Sequence, residues 1–168
     1  NPCSEIAMQG GDSCRLIAIN LFKFVEKPFT KDAKFNMEKF YKATYEGQRL
    51  MDDLVDLETE AIKRILAKVD ADDEPKNIKG VEKETWELLL KTGKEGRRTG
   101  LGFTALADML AALGYKYDSE EAIEFIEKMM KEKCRAEFDC SIDMSLERGS
   151  FVGFNKEIEE TSEFVQML

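Results

Sequence analysis

The sequence contains no histidine, and this absence removes several classes of chemistry at once. Serine–histidine–aspartate and cysteine–histidine catalysis both need an imidazole base, and most zinc sites use histidine ligands. Cysteine is also scarce, with 4 residues among 168 and no C-x-x-C pair. So few thiols do not make a disulfide scaffold, which predicts a reducing, cytoplasmic location and no metal site.

Basic charge and long apolar runs are lacking as well. The 25 Lys and Arg residues stand against 34 Asp and Glu residues, for a formal net charge of −9. This excess of acid argues against a nucleic-acid partner, because binding to phosphates depends on basic patches. No apolar run reaches about 18 residues and no signal peptide is recognisable, so we expect no membrane partner. The 43% of hydrophobic residues suit a single domain.

The spacing of apolar residues predicts a helix-rich α/β chain. Residues 1–30 have the pattern of a loop and a following strand, with a turn at 10–13 and a buried parallel strand at 16–19. Residues 34–168 are predicted to be mostly helical. The predicted helices span about 36–69, 82–92, 103–113 and 119–148, with a weaker helical segment after 155.

Particular residues mark the ends and the buried faces of these helices. Gly93 and Gly114 are predicted stops, and Asp118 or Ser119 is the predicted N-cap of the fourth helix. Gly47 weakens the first helix and indicates a close packing contact there. The predicted buried stripe of the fourth helix consists of Ile123, Ile126, Met130, Cys134 and Phe138.

Three further patterns are interpreted as structural. Gly100-x-Gly102-x-x-Ala105 fits a dinucleotide fingerprint on paper, but no apolar strand precedes it, so we expect a tight entry from a strand into a helix. The preceding arginines, Arg97 and Arg98, are expected to be solvated or salt-bridged, with a phosphate contact as the alternative. Cys134 and Cys140 are expected to be small core or boundary residues.

An acidic cluster lies in the first predicted helix. Its members are Asp52, Asp53, Asp56, Glu58 and Glu60. Carboxylates four residues apart are found in di-metal centres, but such centres also use histidine. The cluster is therefore predicted to be solvated helix surface.

The densest chemistry of the sequence lies within its first fourteen residues. Asn1, Cys3 and Glu5 alternate, so in an extended segment the amide, thiol and carboxylate share one face. A thiol can become a thiyl radical, a carboxylate can act as general base, and an amide can orient a hydroxyl. A second thiol, Cys14, can supply reducing equivalents by forming a disulfide. The alternative is a disordered polar terminus with two unremarkable thiols.

Several segments, in order along nearly the whole chain, resemble the ribonucleotide reductases. Asn1-Pro2-Cys3-Ser4-Glu5-Ile6 is similar to the catalytic finger-loop motif of that family, and the proline before the cysteine resembles the adenosylcobalamin-dependent (class II) enzymes. Ser13-Cys14-Arg15-Leu16-Ile17-Ala18-Ile19-Asn20-Leu21 resembles the strand that carries a redox cysteine. Arg97-Arg98-Thr99-Gly100-Leu101-Gly102 and Tyr117-Asp118-Ser119-Glu120-Glu121-Ala122 resemble a later barrel segment, and the short runs at 51–56 and 147–149 also fit.

The resemblance implies a role for each matched residue. Cys3 would form the thiyl radical that abstracts the 3′-hydrogen of the ribonucleotide, Glu5 would be the base on the 3′-hydroxyl, and Asn1 would bind ribose hydroxyls. Cys14 would be one of two thiols that deliver electrons as the 2′-hydroxyl leaves. The implied fold is a segment of a ten-stranded α/β barrel. The implied activity is reduction of ribonucleotides, as diphosphates, for DNA synthesis, with adenosylcobalamin as cofactor of the complete enzyme and a thioredoxin-like reductant.

The resemblance also has departures and limits. Arg15 stands where the family usually has Asn after the redox cysteine, which bears on local packing or on substrate fit. The chain resembles only a middle fragment of the family's catalytic chain, so we expect 1–168 to be a single barrel segment that binds no cobalamin and does not reduce nucleotides alone. It would need the remaining reductase segments or a second chain as partner. The alternative is a non-catalytic, acidic helical assembly module.

An incomplete barrel has a physical consequence. Open strand edges and half-covered helices expose apolar surface. We therefore expect the isolated chain to self-associate or to rearrange its first thirty residues.

Overall fold

The computed structural model describes residues 6–167. Helices dominate, as the sequence predicts. The helices are α1 Met37–Ala71, α2 Lys76–Gly96, α3 Leu106–Leu113, α4 Glu120–Arg148, α5 Lys156–Glu160 and α6 Glu163–Met167. The strands are β1 Arg15–Asn20, β2 Val25–Glu26, β3 Lys34–Phe35 and β4 Thr99–Thr104, with a 3₁₀ turn at Leu21–Phe24.

The four strands form two small sheets. β1 pairs with β4, and β2 pairs antiparallel with β3, with Val25 opposite Phe35. Over residues 6–167 these sheets do not close into a barrel. The helix-rich class with a few strands is thus confirmed. The predicted strand at 16–19 is present, but the prediction that it is buried is wrong. Burial alternates along β1, and Leu16 is 67% exposed, so the strand is covered on one side only.

The chain divides into two compact units. Unit 1 comprises residues 6–15, 52–99 and 149–167, and unit 2 comprises residues 16–51 and 100–148. The long helix α1 contributes its first part to unit 2 and its second part to unit 1. No helix described over residues 6–167 has both the length and the apolarity needed to cross a bilayer.

The core of unit 2 is rich in large apolar side chains. Its fully buried members are Leu21, Phe40, Met109, Leu110, Ala122 and Met129. Around Phe40, the rings of Phe24 and Phe35 pack edge-on, with centroids 5.4 and 5.3 Å from that of Phe40. Such edge-to-face contacts add to the hydrophobic stabilisation of the buried rings.

A ladder of polar contacts joins α1 to α4 within unit 2. Tyr41 donates a hydrogen bond to Asp139, and Tyr45 donates one to Asp143 at 2.7 Å. The third rung is the bidentate pair of Arg49 and Glu147, at 3.0 and 2.6 Å. Each rung advances four residues on both helices in the same direction, so the two helices run parallel. Gly47 lies on this part of α1, and a Cβ there would fall 3.2 Å from Leu101, which confirms the predicted close contact.

The predicted ends of α1, α3 and α4 are largely confirmed, whereas those of α2 are wrong. α2 begins after Pro75, six residues before the predicted start. The apolar spacing does not indicate this start, because the first turns of the helix carry exposed residues and show no apolar period. Gly93 does not end the helix, which continues to Gly96 and is followed by Arg97 as its C-cap in the left-handed region at φ 40°. Phe103 belongs to β4, so α3 starts three residues later than predicted, after Ala105 at φ 61°. The strand-to-helix entry predicted at 100–105 is confirmed.

The buried face of α4 also differs from the predicted stripe. Ile123, placed in the core by the sequence, is 58% exposed. The buried residues of α4 are Ala122, Met129, Lys133, Ala136, Cys140 and Met144. This face includes two alanines and a lysine, whose Nζ lies 2.7 Å from Glu137. Ile126 and Met130 of the predicted stripe do pack against the core, but a search for large apolar residues misses the buried alanines and the lysine.

Candidate functional site

Of the residues predicted to carry chemistry, only Cys14 lies within the described part of the chain. Asn1, Cys3 and Glu5 lie outside it. Cys14 is half-buried and directly precedes β1, and its Sγ lies 3.9 Å from the carbonyl oxygen of Arg15. The site described below is the Cys14 segment, defined as residues 9–15 with the parts of α1 and α2 that hold it, all of which belong to unit 1.

A tight turn leads into the Cys14 segment and is fastened to α2. Gly11 adopts φ 78°, and a Cβ there would fall 2.7 Å from Cγ of Leu88, so the turn needs glycine on both counts. The buried hydroxyl of Thr92 donates to the Gly11 carbonyl at 2.6 Å. The predicted turn at 10–13 is confirmed, and its position is set by the last turns of α2.

A buried carboxylate is the second anchor. The side chain of Asp12 is fully buried, its Oδ1 accepts the Ser13 N–H at 2.8 Å, and its Oδ2 lies 2.8 Å from Nη1 of Arg98. This Oδ2 contact lacks hydrogen-bond alignment, so it acts as an ion pair. A buried carboxylate without a counter-charge is costly, and Arg98 supplies that charge. A Cβ at Gly96 would overlap the guanidinium, so glycine leaves room for Arg98 to reach Asp12.

Arg15 is the third anchor, and it connects the segment to α1. Its Nε donates to Oε2 of Glu58 at 2.6 Å, Nη2 contacts the same oxygen, and Nη1 donates to the Ser13 carbonyl at 2.9 Å. Its side chain is only 9% exposed. The backbone N–H of Arg15 donates to the carbonyl of Arg98 at 3.2 Å. Cys14 therefore lies between two residues that are both held by the same guanidinium.

Arg97 fastens the end of α2 to α1 beside this site. Its Nε and Nη2 bind the two carboxylate oxygens of Asp52 at 2.8 and 2.7 Å, and its Nη1 binds Asp56 at 2.7 Å. The hydrogen bond with Asp52 raises the pKa of Arg97 above its usual range. Arg97 is thus fully committed to carboxylates of the same chain, as is expected of a planar guanidinium facing a carboxylate.

The structure corrects the interpretation of the acidic cluster and confirms that of the arginines. Asp52, Asp56 and Glu58 are ion-pair partners of Arg97 and Arg15, so they are not plain helix surface. The salt-bridged arginines expected at 97 and 98 are confirmed. The sequence contains the opposite charges but gives no pairing, because the partners lie more than forty residues apart.

The other two described cysteines have the surroundings predicted for them. Cys140 is fully buried with its Sγ 3.6 Å from Sδ of Met144, and Cys134 is half-buried, so both are core or boundary residues. Among residues 6–167, no group of three or more cysteine, aspartate or glutamate side chains is placed to hold a metal ion.

Comparisons with known proteins are consistent along the chain. A family model described as "Ribonucleotide reductase, barrel domain" matches residues 1–166. A vitamin B12-dependent ribonucleoside-diphosphate reductase of Mycobacterium tuberculosis is 27% identical over 154 residues, and one of Thermoplasma acidophilum is 28% identical over 151 residues. These alignments cover 92% and 90% of this chain but only 18% and 16% of the two relatives. The chain thus spans less than a fifth of their length, and it belongs to the ribonucleotide reductase barrel-domain family.

Proposed function

We propose that the chain is part of the catalytic chain of a vitamin B12-dependent ribonucleotide reductase, which reduces ribonucleoside diphosphates to 2′-deoxyribonucleotides for DNA synthesis. The observation that carries this proposal is the family match over residues 1–166, which includes Asn1, Cys3, Glu5 and Cys14. The names of the relatives supply the cofactor and the phosphate state of the substrate. The net charge of −9 agrees with a substrate that is a small nucleotide held by a few groups rather than a nucleic acid.

The proposed chemistry divides the work among four side chains. A thiyl radical at Cys3 abstracts the 3′-hydrogen, and the Glu5 carboxylate accepts the 3′-hydroxyl proton while Asn1 holds the ribose hydroxyls. The 2′-hydroxyl then leaves as water. Two electrons come from Cys14 and a partner cysteine, whose two S–H bonds are replaced by one disulfide as their protons pass to the departing water and the sugar. Cys3 then returns a hydrogen atom to the 3′-carbon and recovers the radical, and Glu5 returns its proton to the 3′-oxygen.

The anchors of the Cys14 segment support this role for Cys14. A thiol that must reach one particular disulfide partner benefits from a fixed backbone, because exchange depends on which sulfur is approached and from where. Cys14 has such a backbone, with Gly11 fastened to α2, Arg15 to α1, and Asp12 to Arg98 just after α2.

The cleft described in unit 1 does not fit a cobalamin. The cleft that Gln9, Glu95, Arg98, Phe151 and Gly153 line in unit 1 has a volume of about 490 Å³. That is the size of a site for a drug-sized molecule, and a corrinoid with its nucleotide loop is far larger. The sequence also offers no histidine as a cobalt ligand. We therefore propose that the remaining parts of the enzyme hold the cofactor, and no step is assigned to it within this chain.

The proposal extends to the architecture and the partners. The chain would form one segment of the family's ten-stranded barrel, with residues 1–30 as the finger loop and its following strand. The other segments, on the same polypeptide or on a second chain, would complete the barrel, and a thioredoxin-like protein would reduce the disulfide. The chain alone would be inactive, because radical chemistry needs a closed pocket that excludes water.

The test is reconstitution. The chain is combined with the remaining segments of a B12-dependent reductase, and deoxyribonucleotide formation is measured with adenosylcobalamin and a dithiol. We expect activity with the wild-type chain, none with Cys3→Ala, and loss of dithiol-dependent turnover with Cys14→Ser. Cys134→Ser is the matched control and should keep full activity. Equal activity of Cys3→Ala and the wild type would refute the proposal and favour the non-catalytic assembly module.

A further inference from the structure

Arg15 is the residue that departs from the family's usual asparagine, and the structure shows where its charge goes. The guanidinium contacts Glu58 through Nε and Nη2 and the Ser13 carbonyl through Nη1. With a side chain only 9% exposed, it is turned into unit 1 and is occupied by groups of the same chain. This arrangement leaves no role for Arg15 as a ligand of the substrate phosphates.

The contacts of Arg15 bracket Cys14 on both sides. Nη1 binds the carbonyl of the residue before Cys14, and the guanidinium belongs to the residue after it. Glu58 on α1 then fixes the guanidinium. A close approach to Gly93 confines it further, since a Cβ at that glycine would fall 3.2 Å from Nη2. Any movement of the Cys14 backbone therefore has to break a charge-assisted hydrogen bond.

We propose that Glu58 and Arg15 are positioning residues for the Cys14 thiol: Glu58 acts through Arg15 to hold the backbone on both sides of Cys14 in one conformation. This inference rests on the proposed function, in which Cys14 is a redox thiol. It assigns to the acidic face of α1 a part in presenting that thiol. The strength of the restraint comes from a carboxylate and a guanidinium that are both partly withdrawn from water, with side-chain exposures of 40% and 9%.

The geometry at Glu58 suggests two variants that separate the effect of its hydrogen bonds from the effect of its charge. Nε and Nη2 of Arg15 both contact the same oxygen of Glu58, Oε2. Glu58→Gln keeps one carbonyl oxygen that can accept these contacts, whereas Glu58→Ala keeps none. The two variants share the loss of charge and differ in the hydrogen bond, so they separate restraint by Arg15 from general electrostatics.

The experiment measures how fast iodoacetamide alkylates each cysteine of the whole chain. Digestion by a Glu-specific protease cleaves after Glu5 and separates Cys14 from Cys3, and mass spectrometry then follows each thiol. In Glu58→Ala we expect the Cys14 rate to rise about threefold to tenfold, the change that follows the loss of one or two restraining hydrogen bonds. Glu58→Gln should stay within about twofold of the wild type. Arg15→Ala should match Glu58→Ala, and the double variant should add nothing further.

Internal controls distinguish positioning from loss of structure. Cys134 and the buried Cys140 should keep their wild-type rates in every variant, because a restraint on Cys14 does not reach α4. Lys83→Ala, which breaks an exposed ion pair with Asp70 in the same unit, should leave Cys14 unchanged. An unchanged Cys14 rate in a folded Glu58→Ala protein would overturn the proposal, as would a rise shared by all three cysteines.

A second comparison decides the question if the alanine variants do not fold. Arg15→Lys keeps a charge for Glu58 but has no fork to bind the Ser13 carbonyl at the same time, so the Cys14 rate should rise while Glu58→Gln stays near wild type. Equal rates in both would overturn the proposal. The alkylation rates are measured without turnover, so they do not depend on reductase activity. The proposed function is tested separately, by whether Cys14→Ser abolishes dithiol-dependent reductase activity.

Discussion

Replacing Arg97 with alanine is predicted to destabilise unit 1 more than the loss of any exposed ion pair. The side chains of Arg97 and Asp52 are 21% and 16% exposed, and two parallel hydrogen bonds join them. Removing one partner of such a charge-assisted pair costs about 2–3 kcal/mol. The pair with Asp56, which is 48% exposed, adds about 0.5 kcal/mol. We expect a total loss of roughly 3 kcal/mol.

Urea unfolding followed by fluorescence is the assay for this loss. The single tryptophan, Trp86, lies in α2 and reports on unit 1. A loss of about 3 kcal/mol also corresponds to a fall in Tm of roughly 6–12 °C for a protein of this size. Arg97→Gly should lose about 1 kcal/mol less than Arg97→Ala, because glycine relieves the left-handed backbone at φ 40° while losing the same ion pairs.

The control for Arg97 is the exposed pair of Lys83 and Asp70. Their side chains are 42% and 57% exposed, so Lys83→Ala should cost no more than about 0.5 kcal/mol. If Arg97→Ala lowers the free energy of unfolding no more than Lys83→Ala does, the Arg97 ion pairs do not hold α2 to α1. Burial of these carboxylates would then add nothing to the stability of unit 1.

Two further predictions test other parts of the fold. Gly153→Ala should destabilise unit 1 by about 1–3 kcal/mol, because the added Cβ would fall 2.6 Å from the Glu95 carbonyl oxygen. Gly80→Ala, which has open space around it in α2, should stabilise the protein by about 0.5–1 kcal/mol. The urea midpoints of the two variants test this, and a Gly153→Ala variant as stable as the wild type would contradict it. The hydrogen bond to Asp143 raises the pKa of Tyr45 to about 12. The stability that this hydrogen bond contributes is complete below the unfolded-state pKa of 10 and is lost as the pH rises to 12. Wild type should therefore lose more thermal stability than Tyr45→Phe over that window, and parallel pH curves would count against the hydrogen bond.

Local sequence signals located the start of α4 and the end of α3, where a capping residue marks the end of the helix. Ser119 caps α4 by accepting the N–H of Ala122 at 3.3 Å, and Gly114 ends α3 at φ 84°. Both positions were predictable because capping depends on the chemistry of single residues. The start of α2 was not predictable in this way, because Ile78 and Val81 are 51% and 68% exposed and break the apolar period.

The anchors of the Cys14 segment show where sequence reasoning stops. The sequence singled out Cys14 and the arginines at 97 and 98, but it did not pair Asp12 with Arg98 or Glu58 with Arg15. These pairs join residues 86 and 43 positions apart, and the acidic stretch of α1 offers several equivalent carboxylates. Only the packing of α1 and α2 selects among them. The selected pairs are the ones that give the Cys14 segment its fixed backbone.

The role proposed for Cys14 is tested by following its oxidation state during a single turnover. The reduced chain, reconstituted with the remaining reductase segments and adenosylcobalamin, is given ribonucleoside diphosphate without external dithiol, and each cysteine is then alkylated and quantified. We expect Cys14 to become protected from alkylation in a 1:1 ratio to the deoxyribonucleotide formed, while Cys134 and Cys140 stay reduced. Product that accumulates while Cys14 remains fully alkylatable would contradict it.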